Sequence, residues 1–173
     1  MADQSPSEAF DRWSEPWGEA MHRKSLPDAL AVLDAELAKV DVSPEMIVCM
    51  LLFKSQTYER FQDYDSALSY AFQSQAVLDN GGAWGQIGRL MVKTGHLTAA
   101  RSCFENELAT SKRSLILPVV YPTSVICAYI HLMEVERQLG NLGKAHEWLR
   151  QALEYSPDKP DLMLEHAQQR LGL

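Results

Sequence analysis

Cationic side chains are scarce in this sequence. Lys and Arg number 16 against 23 Asp and Glu, a formal net charge of −7. Phosphate backbones and anionic lipid surfaces do not attract such a chain, which excludes nucleic-acid binding through a broad basic face. Long apolar runs are missing too. The stretch Leu115 to Tyr121 is far short of the roughly 20 residues that span a bilayer, so no membrane insertion is expected. Met1 to Glu8 carries neither a basic region nor an apolar core, which argues against a secretory leader. Cysteine is limited to Cys49, Cys103 and Cys127. That odd number without metal-ligand spacing reads as buried thiols in a reducing, cytoplasmic setting. None of the five histidines pair at i,i+4 and no HExxH run exists, so no metal site is expected. Gly81-Gly82 precedes a helix but lacks the Lys-Ser/Thr of a phosphate-binding loop, and reads as a plain turn. No catalytic constellation, cofactor or small-molecule substrate is expected, and the chain reads as a non-enzyme. What is present is 173 residues, 46% hydrophobic and 23% charged, the balance of a folded domain rather than a disordered one.

The chain does contain a period. Trp84, Ile87, Gly88 and Met91 form a W-x2-I-G-x2-M frame, followed by Gly95, Ala100 and Phe104. The frame fits three more times. In all four, the first residue (Trp13, Leu51, Trp84, Tyr129) precedes an alanine (Ala29, Ala67, Ala100, Ala145) by 16 positions. A helix pair with small residues where the helices cross cannot bury its apolar face alone, so such units stack.

This pattern resembles the tetratricopeptide repeat, a helix–turn–helix unit. The resemblance implies an all-α fold, a right-handed superhelical solenoid of antiparallel helix pairs. Four repeats are expected at about 10–42, 46–79, 82–112 and 124–157, with a capping helix at about 160–171. Residues 1–9 are expected to be a flexible tail and 10–173 a single domain. Ser43-Pro44 reads as a helix start. Several positions depart from the family pattern. Trp17 and Met133 stand where a small residue is usual, Lys54 at a usual Leu, and Glu136 at a usual aromatic. Pro16 is expected to kink or break the first helix.

The resemblance also implies a concave groove, built by the first helix of each pair, that holds a partner peptide. Carried over residue by residue, the candidate groove residues are Leu52, Phe53, Gln56, Gln86, Arg89, Lys93, Ile130, His131, Glu134 and Arg137. Co-chaperones of this family grip an acidic C-terminus with two Lys, two Asn and an Arg. The matching positions here are Ser14, Gly18, Phe53, Gly82 and Gln86, so that clamp is absent. Phe10, Trp13 and Trp17 either staple the N-terminal segment onto the first repeat or form an oligomer contact. The apolar insertion within 111–122 either folds back or meets a partner. The function implied is a non-enzymatic interaction module: a scaffold, adaptor or chaperone binding a protein or peptide. In size, charge and architecture the chain is similar to class II chaperones of type III secretion. The alternative is a self-assembling subunit of a homodimer or larger complex with no free peptide ligand.

Overall fold

A computed structural model of the chain describes residues 6–39, 41–114, 122–155 and 162–172. The described residues form nine α-helices and no strand. They fall into two compact units, Met1–Leu78 and Asp79–Leu173. In the first, α1 (Pro6–His22) packs on α2 (Leu26–Leu37), α2 on α3 (Pro44–Arg60), and α3 on α4 (Tyr64–Val77). In the second, α5 (Gly81–Lys93) pairs with α6 (Leu97–Ser114) and α7 (Pro122–Gln138) with α8 (Leu142–Tyr155). There α6 also packs on α7, and α9 (Leu162–Leu171) closes against α7 and α8.

The helix starts follow local chemistry. Ser43 Oγ accepts from Met46 N at 3.3 Å, with Pro44 in the first turn of α3. Asp63 Oδ1 accepts from Ser66 N at 3.1 Å, and Asn80 Oδ1 from Ala83 N at 2.7 Å. Each satisfies an amide that the first helical turn leaves unpaired.

The turn inside each pair repeats with the alanine frame. Lys24, Gln62, Gly95 and Gly140 have φ of 57°, 64°, 82° and 79°, and each lies five residues before its alanine. Each turn closes with the same two amide bonds. Gly95 N donates to Val92 O at 3.1 Å and His96 N to Met91 O at 2.8 Å. Gln62 N donates to Glu59 O and Asp63 N to Tyr58 O, both at 3.0 Å. This left-handed helix stop suits glycine, and an L side chain there costs on the order of 1 kcal/mol. Gln62→Gly is therefore expected to stabilise the chain by about 0.5 kcal/mol after the greater freedom of the unfolded glycine is set against the relieved strain. Urea unfolding measures it, and an unchanged or lowered midpoint would contradict the strain argument.

The small residues sit where helices touch. Ser55 Oγ donates to Ala67 O across α3 and α4 at 2.8 Å. A Cβ added at Gly88 would lie 2.4 Å from Phe104 Cε1, so that ring approaches the α5 backbone as closely as glycine permits. The second core gathers Phe104, Tyr129, Leu132, Met133 and Leu149, all buried.

The positions that depart from the family pattern are absorbed locally. Pro16 does not end α1, which runs unbroken from Pro6 to His22. Anchors on both sides of the proline hold the helix together despite the missing amide. Before it, Trp13 is 1% exposed among Leu33 and Met50. After it, Trp17 Nε1 donates to Thr57 Oγ1 at 2.9 Å. That hydroxyl in turn donates to Phe53 O at 2.7 Å. Lys54 is buried, yet its ammonium pairs with Asp34 and lies 4.9 Å from the Tyr70 ring centroid. Glu136 is 2% exposed, with Arg101 Nε 2.8 Å away and Asn141 Nδ2 donating to it at 2.6 Å. Met133 is simply core. The helix α1 begins at Pro6, inside the segment expected as a tail, and residues 1–5 lie outside the described residues. So does 115–121, most of the apolar insertion, whose first residues complete α6.

Candidate functional site

The second unit contains a cavity of about 180 Å³ between α5, α6 and α7. Arg89, Val92 and Lys93 reach it from the last turns of α5, and Phe104 from α6. His131, Glu134 and Val135 reach it from α7. The helical spacing explains the set, because residues three and four apart share a face. Its walls are almost wholly apolar, made by Val92, Phe104 and Val135 together with the carbon parts of the charged side chains.

His131 is held from two directions. Its ring stacks on Phe104 at 4.7 Å between centroids, 24° from parallel. Its Nδ1 donates to Glu107 Oε2 at 2.8 Å. Glu107 is buried and lies against Gly85, where an added Cβ would come within 2.6 Å of Oε1. With Nδ1 committed to a carboxylate, ring orientation is set and Nε2 is the nitrogen left for other partners.

Glu134 is oriented by a fork. Arg137 Nη2 donates to Oε1 at 2.7 Å and Arg137 Nε to Oε2 at 3.0 Å. Gln138 Nε2 adds a bond of 2.9 Å to Oε1, and Arg170 of α9 approaches Oε2 to 3.8 Å. The Arg137 hydrogen bonds hold the Glu134 carboxyl below the usual carboxylate range against the opposing effect of partial burial. Arg89 is hydrogen-bonded to Gln86, which is wholly buried beneath it.

A second cavity, of about 130 Å³, lies between α7 and α9. Ile130, Met163, His166, Ala167 and Arg170 line it. Ile130 and His131 are adjacent in sequence and open onto different cavities.

The structure thus brings Arg89, Lys93, His131 and Glu134 together around one cavity and gives Ile130 to its neighbour. Gln86 and Arg137 act one step away, as partners of Arg89 and Glu134. In the first unit, Leu52 and Gln56 lie half-buried on α3. Phe53 is used internally: Trp13 and Trp17 meet its ring edge-on at 4.7 and 4.8 Å. Trp13 has almost no surface left for a second chain, and the side chain of Phe10 lies outside the described residues. Sequence reasoning missed Val135 and Glu107 as contributors. Glu107 follows Phe104 by three residues, so the helical period places both on one face.

Burial pushes the Cys49 and Cys103 thiols above their ordinary range, which makes them poor nucleophiles. Among the described residues no group of three or more His, Cys, Asp or Glu is placed to hold a metal ion. No described helix is long and apolar enough to cross a membrane.

Comparison with known proteins agrees with this architecture. Solved structures share the fold. BtubC (BKLC) from P. vanneervenii superposes with a TM-score of 0.67 at 12% identity, covering 98% of this chain and 83% of that one. A MamA RS-1 ArsTM double mutant gives 0.62 at 18%, covering 94% and 80%. A further MamA structure gives 0.59 at 17%, covering 91% and 85%. No curated protein matches the sequence. Residues 128–159, the pair α7–α8, match the tetratricopeptide repeat family. The chain has the helical-repeat fold of these structures, and its fourth helix pair carries a match to the tetratricopeptide repeat family.

Proposed function

We propose that this chain is a non-enzymatic protein–protein interaction module, and that the cavity between α5, α6 and α7 receives an apolar side chain of a partner polypeptide. The observation that carries this is the convergence of Val92, Phe104 and Val135 with Arg89, Lys93, His131 and Glu134 on one opening. An apolar hole formed by several helices is the arrangement that lets a few anchors dominate binding. Leu52 and Gln56 are proposed as additional contact positions on the first unit. A chaperone's use of the cavity, holding a partner's apolar segment until delivery, is the finer version. The three thiols, none of them in a disulfide, fit a reducing compartment such as the cytoplasm.

Val92→Trp tests the proposal by filling the cavity from a half-buried position. Capture from a lysate of the source cells is compared between the parent chain and the variant. Partners retained by the parent are expected to fall at least about tenfold, a loss of about 1.4 kcal/mol. Helical circular dichroism is expected to stay unchanged. Equal retention by a folded variant would refute the cavity as the binding site. If the partner also precipitates when the chain is absent, the chaperone version gains support. A partner that stays soluble alone would argue for a scaffold.

A further inference from the structure

Helix α4 is exposed along a stripe that carries no charge. Its buried residues, Ala67, Ala71 and Ser74, face α3, where Ser55 Oγ donates to Ala67 O and Ser74 Oγ donates to Val48 O at 3.3 Å. At about 100° per residue, Ser69, Phe72, Gln73 and Ala76 lie on the side of α4 turned away from α3, and all four are exposed. Phe72 is 48% exposed, more than any other aromatic side chain among the described residues. Between Asp65 and Asp79 the sequence holds no Asp, Glu, Lys, Arg or His. The second helices of the other pairs set charges outward: Asp34 on α2, Glu105 on α6, and Glu147 with Arg150 on α8. The location sharpens the contrast. Residues 1–78 hold 6 Lys and Arg against 13 Asp and Glu, so the first unit bears the whole net charge of −7.

We infer that this stripe is a contact between two copies of the chain, pairing α4 with α4 about a two-fold axis. One large ring among small neighbours makes the stripe self-complementary. With the axis at its middle, Phe72 of each copy meets Gln73 of the other and Ser69 meets Ala76, so the contacts are reciprocal, as a two-fold interface requires. Serine and alanine at the ends let the two helices approach to about 8–10 Å, with each ring laid in a hole between facing side chains. Gln73 Nε2 donates to Ser69 Oγ at 3.2 Å, so part of the hydrogen bonding on the stripe is kept when water is displaced. Charge decides the place. Two acidic units repel each other, and a face free of carboxylates lets them meet with no like charges opposed in the contact. One helix stripe buries well below about 800 Å² on each side, so the dimer is of the weak, transient kind. The stripe belongs to the first unit and the cavity proposed above to the second, so neither reading depends on the other.

Sedimentation of the full chain over about 1 μM to 1 mM, at low and high salt, tests the contact. The parent is expected to show a monomer–dimer equilibrium that tightens as salt screens the like charges. Phe72→Glu sets two carboxylates near the axis and is expected to weaken association at least about tenfold. Helical circular dichroism is expected to stay unchanged, because the position is exposed. Leu142→Glu, at a leucine that is 55% exposed on α8, is expected to leave association as it was. A monomer at every concentration overturns the inference, as does a dimer that Phe72→Glu leaves intact. Equal loss with Leu142→Glu would mean unspecific adhesion, and a dimer loosened by salt would mean a contact between opposite charges; either result overturns it. If the parent is monomeric and Phe72→Glu instead loses a protein captured from the lysate, the stripe serves a different partner, and the second copy is overturned.

Discussion

Trp13→Ala is expected to destabilise the first unit by about 3–5 kcal/mol, the usual cost of truncating a fully buried tryptophan. The side chain is 1% exposed and meets the Phe53 ring edge-on at 4.7 Å, with Leu33 and Met50 around it. Trp17 and Phe53, which pack on it, are also held by the Trp17–Thr57–Phe53 hydrogen bonds, which oppose their collapse into the space. Helix α1 depends on this anchor more than most helices do, because Pro16 removes a backbone amide from its interior. Hydrogen exchange is the right measurement, since it reads each unit by itself. Amides of α1 are expected to lose protection first, with those of α5 to α8 little changed. If Trp13 were instead a contact between copies, the substitution would change association and leave exchange in the isolated chain as it was.

The second large effect is at Glu136. Its carboxylate is buried in the second unit and bonded by Arg101 and Asn141. Glu136→Ala removes one member of a largely desolvated pair and leaves the guanidinium behind. Breaking such a pair costs about 3–5 kcal/mol when both charges are deep. Arg101 retains 27% of its side-chain exposure and can turn partly toward water, so roughly 2–3 kcal/mol is expected here. The double variant Glu136→Leu with Arg101→Leu is expected to recover most of that loss, because neither charge then remains to be desolvated. Urea unfolding of both variants separates the cases. A double variant as unstable as the single one would mean the pair contributes through its shape rather than through charge compensation.

These residues also show where sequence reasoning reached its limit. Trp13, Lys54 and Glu136 were visible as members or violations of a repeat frame, but the frame does not say what surrounds them. The Lys54 ammonium is accommodated by Asp34, twenty residues earlier on α2. Glu136 is accommodated by Arg101, thirty-five residues away on α6. Such partners are set by which helices pack together, and local periodicity carries no record of them.

The sequence by itself determined the helix pairs and their turns. The spacing of Trp13, Leu51, Trp84 and Tyr129 to the four alanines is a local, one-dimensional property. The turn glycine Gly95 is local in the same way, whereas Lys24 and Gln62 take the same left-handed conformation with no glycine to announce it. The family resemblance named Arg89, Lys93, His131 and Glu134 among its candidates, and the structure lines one cavity with them. Only the tertiary structure decided which of the candidates share a cavity. It turned Phe53 inward under two tryptophans, sank Gln86 beneath Arg89 and assigned Ile130 to a different opening from His131. The physical reason is that a groove is formed by side chains from separate helices meeting at close-packed density, and that meeting depends on volumes and crossings contributed from distant parts of the chain.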